Sequence, residues 1–187
     1  MAKRRVSILL LMILLFYVPS NALANNQSND VPQFGTDFSE VVIADSSDGL
    51  DDPRDLEFHP GRANELWIAN RATDSISIIH NTGLVNQTSE NRQDSHKNHF
   101  LEEVSAISFG SYHPEFDWQW GSAQESINTY CGQGSPNNFM GPTLWPSSLS
   151  HFAMEHQNDQ YLGSHIDMNH ESPFGMGIAH DSGNSYW

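Results

Sequence analysis

The residues best suited to bind a metal lie close together near the end of the chain. His165, Asp167 and His170 place two imidazoles and one carboxylate within six residues, and His180 follows ten residues later. If residues 165 and 167 lie on a strand, their side chains point to one face, and a turn after them would return His170 to it. Imidazole with carboxylate binds zinc, copper or iron. The sequence therefore predicts a metal site at these four residues, with zinc or copper as the metal.

Three observations from the sequence bear on this prediction. Met168 and Met176 favour copper if their sulfur atoms face the site. The spacing matches no standard zinc signature such as H-E-x-x-H, and the chain contains ten histidines. Ordinary surface and loop histidines therefore stay open as the alternative.

A second group of oxygen ligands surrounds Gly49. Asp48, Asp51 and Asp52 supply the carboxylates that calcium prefers. The EF-hand pattern is absent, however, and a hydrated acidic turn is the favoured interpretation, so calcium ranks below zinc and copper.

Acid–base catalysis needs two carboxyl groups in proximity. Glu102, Glu103 and Glu125 are candidates for such a pair only if the fold brings them together. The single cysteine, Cys131, excludes an intramolecular disulfide framework and the multi-cysteine zinc and iron–sulfur motifs. No complete catalytic signature is present.

The charge of the chain restricts its partners. Eight Lys and Arg face 23 Asp and Glu, for a formal net charge of −15. This balance argues against nucleic-acid binding, which needs a basic face. It favours solubility and cationic partners, but it identifies neither a protein ligand nor a small-molecule ligand.

Residues 1–24 have the layout of a secretory signal peptide. A basic start at residues 3–5 precedes an apolar run of 13 residues, 6–18, and Ala22-Leu-Ala24 offers a cleavage site. The run is shorter than the ~20 residues of a membrane-spanning helix, although an uncleaved anchor is the alternative. We expect a secreted or periplasmic protein with no membrane segment after cleavage. The loss of three basic residues lowers its net charge from −15 to −18.

Two sequons for N-glycosylation follow the predicted signal peptide. They are Asn26-Gln-Ser28 and Asn86-Gln-Thr88, and they are meaningful only in a eukaryotic secretory pathway. The first lies in residues 25–40, a polar stretch without periodicity that we interpret as a flexible leader.

The elements that must position these residues are short strands. Apolar runs and alternation predict strands at residues 41–44, 56–59, 66–69, 76–79 and 104–109, separated by turn clusters. Residues 84–99 are polar and predict a surface loop, and residues 110–160 predict long loops with short strands. The 52–81 segment indicates an antiparallel meander, and no helical period appears in it.

An internal repeat supports this interpretation. Residues 53–67 align with residues 173–187, because both begin with Pro and end with Trp. Leu66 then matches Tyr186, and each copy predicts a strand, a Gly- and Asn-containing turn and a second strand.

The segment Leu-Glu-Phe, Gly, Leu-Trp-Ile-Ala-Asn, Asp-Ser-Ile-Ser-Ile-Ile within 52–81 resembles a blade of the NHL-type β-propellers, and 173–187 resembles part of another. The resemblance implies an all-β fold, a partial β-propeller of antiparallel meander blades over residues 41–187. A blade needs roughly 40–50 residues, so the 163 residues that follow the signal peptide supply at most about three to four blades. This length predicts an N-terminal fragment of a longer propeller. The alternative is a complete small protein whose last strand pairs within the chain or with another subunit.

Two functions follow from the resemblance. The favoured one is a binding or interaction module whose loops hold a partner or small ligand. The alternative is a metal-dependent enzyme, a lyase or hydrolase, with the His/Asp site in the channel. Some propellers of this family, the peptidyl-amidoglycolate lyases, have His-bound zinc there.

Overall fold

The computed structural model describes residues 41–94, 97–115, 117–127, 138, 140–152, 165–169, 174–183 and 185–187. The chain divides into two compact units, residues 1–43 and 44–187, and the fold below belongs to the second. The predicted signal peptide, 1–24, and the predicted flexible leader, 25–40, lie outside the described residues.

The first sheet is a four-stranded antiparallel meander. Its strands, in spatial as well as chain order, are β1 (Pro53–Phe58), β2 (Leu66–Asn70), β3 (Ser75–His80) and β4 (Thr88–Arg92). The turns between them contain Asn or Asp with positive φ, at Asn64 (57°), Asp74 (50°) and Asn81 (53°). These two residue types tolerate the left-handed region, so the turn clusters of the sequence fold as tight connections.

The second sheet repeats this order. It contains β5 (Val104–His113), β6 (Asp117–Gln124), β7 (Thr143–Pro146) and β8 (Asp167–Met168), again as antiparallel neighbours. A short helix, α1 (Lys97–Phe100), lies between the two sheets in the chain. The all-β prediction is therefore confirmed, as two antiparallel sheets that do not close into a ring in the described part of the chain.

Two of the local predictions were wrong. Residues 41–44 form no strand. Ala44 and Leu50 instead pack on Leu66, Ile68 and Ile79 without joining the ladder of the first sheet. The predicted loop at 84–99 contains β4, whose polar sequence TSENR lacks apolar alternation because the strand is half exposed at the edge of the sheet.

The main core lies between the two sheets and is aromatic. Trp67 packs edge-on against Trp120 with ring centroids 5.5 Å apart, and Trp120 stacks on Trp145 at 5.3 Å. Phe109 and Phe152 complete the cluster, together with aliphatic side chains from both sheets. Burial of such large rings supplies most of the favourable free energy that joins the sheets.

The other face of the second sheet carries small residues and is covered by residues from the C-terminal part of the chain. Residues 179–181 pair with 185–187 as a hairpin, and its Tyr186 ring lies over Gly110 and Gly121. Ser108 Oγ accepts a hydrogen bond from the His180 N–H at 3.1 Å. We call residues 174–187 the C-terminal segment.

The repeat is visible in this hairpin with a change of register. Alignment on the two prolines predicts that residue 177 pairs with Trp187, whereas Ala179 does so, with both N–H···O distances at 2.9 Å. Glu57 is the partner of Trp67 in the first sheet. The turn in the second copy is therefore two residues shorter.

Candidate functional site

Three of the four predicted metal ligands belong to the described residues. The ring of His165 stacks on Phe100 with centroids 3.8 Å apart. Asp167 begins β8, is exposed, and accepts the N–H of Met168 on Oδ1 at 2.9 Å. His180 lies in the C-terminal segment, where its Nε2 donates to the carbonyl of Gly183 at 2.9 Å.

The second sheet separates these histidines. His165 packs toward the aromatic core through Phe100 and Trp145, whereas His180 lies on the opposite face beside Tyr186, with centroids 5.3 Å apart. No three His, Cys, Asp or Glu side chains come together as a metal site among the described residues. His170 lies outside them, so the zinc or copper site stays a prediction.

The acidic residues around Gly49 have other partners. Asp48 Oδ2 accepts the backbone N–H of Asp45 at 3.1 Å and caps a single 3-10 turn. Asp52 lies 3.4 Å from the guanidinium of Arg54 and 3.6 Å from that of Arg71. Asp48 is thus used in a capping box and Asp52 in ion pairs.

Arg71 binds two of the glutamates that were candidates for an acid–base pair, Glu103 and Glu125. Its Nη2 donates to Glu103 Oε1 at 2.6 Å, and its Nε donates to Glu125 Oε2 at 2.8 Å. Arg54 approaches Glu125 at 3.7 Å. Glu103 also donates its backbone N–H to Asp74 Oδ1 at 2.8 Å. The side chains come from the start of β1, the β2–β3 turn and the two ends of β5 and β6 that adjoin it.

We call this group the acidic cluster. Its members are five carboxylates and two guanidinium groups, Asp52, Asp74, Glu102, Glu103, Glu125, Arg54 and Arg71. The carboxylates outnumber the cations, so the cluster keeps a negative charge at neutral pH. Sequence analysis missed both arginines, although two of only eight basic residues in so acidic a chain were a usable signal.

The electrostatics of the cluster agree with this excess of negative charge. Burial alone would lower the pKa of Arg71, but the hydrogen bond to Glu125 and the charges of Glu103 and Asp52 outweigh it and raise that pKa. Burial raises the pKa of Glu102, and the negative charges of Asp74 and Glu103 raise it further. An added cation would relieve this repulsion.

An open cavity of about 530 Å³ lies beside the β2–β3 turn. Its described wall contains no member of the acidic cluster, but it includes Asp51 and Thr73, which neighbour Asp52 and Asp74 in the chain. The remaining wall includes Asn91 and Gln93, and Gln93 Nε2 donates to the carbonyl of Thr73 at 2.7 Å. Hydroxyl, amide and carboxylate groups in this wall can hydrogen-bond a polar ligand.

The opposite end of the sheets contains a serine and a histidine that form no nucleophilic pair. His59 Nδ1 accepts the N–H groups of Gly61 and Arg62, each at 3.0 Å, so Nε2 carries the proton and donates to Ser147 Oγ at 2.9 Å. A donating Nε2 cannot act as base for that hydroxyl. Burial, with the charge of Arg62, lowers the pKa of His59 to about 4.

At this end, ion pairs and hydrogen bonds join the two sheets. Arg62 binds Glu65 at 2.8 Å and Asp117 at 2.7 Å, and it donates to the carbonyl of Ser147 at 2.7 Å. The buried Glu65 also accepts the indole N–H of Trp67 at 2.7 Å. Because the charges of Arg62 and Glu65 are paired and hydrogen-bonded, the network holds β1, β2, β6 and β7 together.

Two further carboxylates lie along the seam between the sheets. Asp55 Oδ2 accepts the N–H of Ile107 at 2.9 Å, and Glu57 Oε2 accepts the N–H of Phe109 at 2.8 Å. They satisfy N–H groups on the edge of β5 that no strand pairs in the described part of the chain. Burial raises the pKa of both carboxyl groups. Their role is to join the sheets.

Comparison with known proteins leaves the chain without an assigned family. No protein-family model, curated protein or solved structure matches it. Among the described residues, no helix has the length and apolar character needed to cross a membrane.

Proposed function

We propose that the protein is an NHL-like propeller module, secreted or periplasmic, which binds a cationic polar ligand or the cationic side chains of a partner at the acidic cluster and its cavity. The observation that carries this proposal is that three carboxylates, Asp52, Glu103 and Glu125, contact two guanidinium groups near a polar cavity. Two further carboxylates, Asp74 and Glu102, lie beside them without a hydrogen bond or ion pair to either arginine among the described residues. The strongly negative charge of the whole chain supports it, since such a field attracts cations toward the site.

The propeller part of the proposal is supported by the repeated architecture. Both sheets are four-stranded meanders with neighbouring strands in chain order, and they stack through their faces. A propeller uses the loops at one end of its blades for binding. The acidic cluster lies at such an end, where the β2–β3 turn of the first sheet meets the adjoining ends of β5 and β6.

The test is a titration with tetralysine at physiological salt, where charges farther away than about 8 Å are largely screened. The cluster variant combines Asp74→Asn and Glu102→Gln, which removes two negative charges and keeps the oxygen that accepts the Glu103 N–H. We expect calorimetry to show a dissociation constant at least about tenfold higher than that of the wild type, as for the loss of two contacts of about 0.7 kcal/mol each.

The control variant removes two charges elsewhere. Glu115→Gln and Asp181→Asn change exposed residues at the opposite end of the sheets, and we expect little change in affinity. Equal weakening by both pairs would show attraction to net charge alone and would contradict the site. Absence of tetralysine binding would contradict the function itself.

A metal-dependent lyase or hydrolase is the second candidate, and one observation favours it. The charge of His180 opposes the rise of the Glu57 carboxyl pKa, so an imidazole and a carboxylate influence each other electrostatically. Metal analysis of the full chain tests it. Substitution of His165 and His170 by Ala should abolish stoichiometric zinc or copper, and unchanged metal content would exclude these ligands.

A further inference from the structure

The β3–β4 connection contains a sequon in a defined and accessible turn. Leu84 N–H donates to the Asn81 carbonyl at 2.9 Å, and Gln87 N–H donates to the Leu84 carbonyl at 3.1 Å. Asn86 lies inside the second of these turns, and Thr88 is the first residue of β4. The sequence Asn86-Gln-Thr88 therefore crosses from a turn into the start of an edge strand.

The acceptor side chain is accessible. Asn86 and Thr88 are both exposed, whereas Gln87 between them is half-buried. The Asn86 carbonyl accepts a weak bond from Asn81 Nδ2 at 3.4 Å, and the Asn86 side-chain amide has no hydrogen-bond partner among the described residues. This amide can enter the site of a modifying enzyme without disruption of the sheet.

The same turn carries the most exposed aliphatic residue of the described chain. Val85 is fully exposed, and Leu84 is half exposed. Aliphatic side chains at the tip of an edge hairpin favour association with other chains. A bulky hydrophilic group on the adjacent Asn86 would cover them.

We propose that Asn86 is an N-glycosylation site, modified during passage through a eukaryotic secretory pathway. The donor is a lipid-diphosphate-linked oligosaccharide. Asn86 Nδ2 forms a bond to the anomeric carbon of the sugar, the bond from that carbon to the diphosphate oxygen breaks, the lipid diphosphate leaves, and the amide proton passes to the transferase. The glycan shields Leu84 and Val85 and blocks the open edge of β4. This inference rests on the secreted location in the proposed function, but it does not depend on the ligand proposed for the acidic cluster.

The experiment is secretion from cultured human cells. One version is the full chain with its own leader, and another places residues 25–187 behind an established secretory leader, so that entry into the pathway does not depend on residues 1–24. Both carry Asn26→Gln, which removes the other sequon. Enzymatic removal of glycan converts a modified Asn to Asp, and peptide mass analysis then locates the former attachment site.

We expect modification at Asn86, its loss in Asn86→Gln and in Thr88→Ala, and its retention in Thr88→Ser, which preserves the hydroxyl. Secreted protein with unmodified Asn86 from both versions would overturn the proposal. The shielding role has its own readout, since Thr88→Ala should aggregate faster than the glycosylated chain and Val85→Asp should reverse that change. Equal aggregation of glycosylated and unglycosylated chains would overturn the shielding role.

Discussion

The two faces of the second sheet are built on different principles. The face toward the first sheet presents Phe109 and Trp120, which interlock with Trp67 in an aromatic cluster. The face toward the C-terminal segment presents Gly110 and Gly121, over which the segment lies at close range. One contact depends on large buried rings and the other on the absence of side chains.

This difference indicates how each contact responds to change. An aromatic interface buries much apolar surface, so loss of a ring removes a large stabilising contribution and leaves a cavity. A small-residue interface buries less but fits closely, so it is sensitive to added atoms. The two tryptophans matched by the repeat also differ in burial, since Trp187 is 81% exposed whereas Trp67 is 0% exposed.

The largest expected effect is on the aromatic face. Trp120→Ala removes a fully buried ring that contacts Trp67, Trp145 and Phe152. We expect the free energy of unfolding to fall by about 3–5 kcal/mol. Urea unfolding followed by far-UV circular dichroism measures it, and a loss below about 1 kcal/mol would contradict the proposed dominance of this face.

The next largest effect is a pH dependence of the free energy of unfolding. It is expected at the border of the aromatic face, where the rings of His59 and Phe109 have centroids 4.8 Å apart. The pKa of His59 is lowered from 6.5 to about 4, so the folded state disfavours the charged ring. Its stabilising contribution is present above pH 6.5 and is lost as the pH falls toward 4. This loss amounts to about 3 kcal/mol.

His59→Asn tests this prediction because its side-chain oxygen can still accept the N–H groups of the turn. The difference in unfolding free energy between wild type and variant should shrink as the pH falls from 6.5 to 4. A difference that stays constant over this window would show that His59 does not titrate as expected.

A smaller loss is expected on the small-residue face. A Cβ at position 121 would lie 2.7 Å from Ile178 Cδ1 and 3.2 Å from the Tyr186 ring, so Gly121→Ala should cost about 1–3 kcal/mol through overpacking. Gly177→Ala is the matched control, because its Cβ would meet nothing within 4 Å. Thermal unfolding should separate the two, and equal effects would refute the close-fit interpretation.

The smallest effect is expected at Tyr186. Its hydroxyl oxygen is buried without a hydrogen-bond partner among the described residues, and burial, with the charge of Glu57, raises its pKa to about 12. Tyr186→Phe removes an unsatisfied polar group, so stability at pH 7 should stay within about 0.5 kcal/mol or rise. A clear loss of stability in chemical unfolding would reveal a partner for this hydroxyl.

The sequence predicts the buried strands well and the others poorly, for a physical reason. The apolar runs of β2 and β3 are buried on both faces, so their composition identifies them. The edge strand β4 is polar because half of it meets water. The strand β6 contains Gly121 and Ala123 where the C-terminal segment approaches, and such residues weaken a strand pattern.

The candidate site was less accessible to sequence analysis because it depends on distant parts of the chain. Glu103 and Glu125 were recognisable as carboxylates, but their shared contact with Arg71 depends on the stacking of two sheets. The metal prediction came from local spacing alone. Spacing cannot reveal that the second sheet places His165 and His180 on opposite faces.

The stacked tryptophans also give the molecule an optical signature. Trp120 and Trp145 lie 5.3 Å apart with ring planes only 12° from parallel, a distance at which their electronic transitions couple. The coupled pair should contribute to the circular dichroism of the indole absorption region. Trp187, in contrast, is solvated and should emit at longer wavelength than the buried rings. Circular dichroism of the indole region therefore reports on the packed interior, and the long-wavelength fluorescence reports on the C-terminal segment.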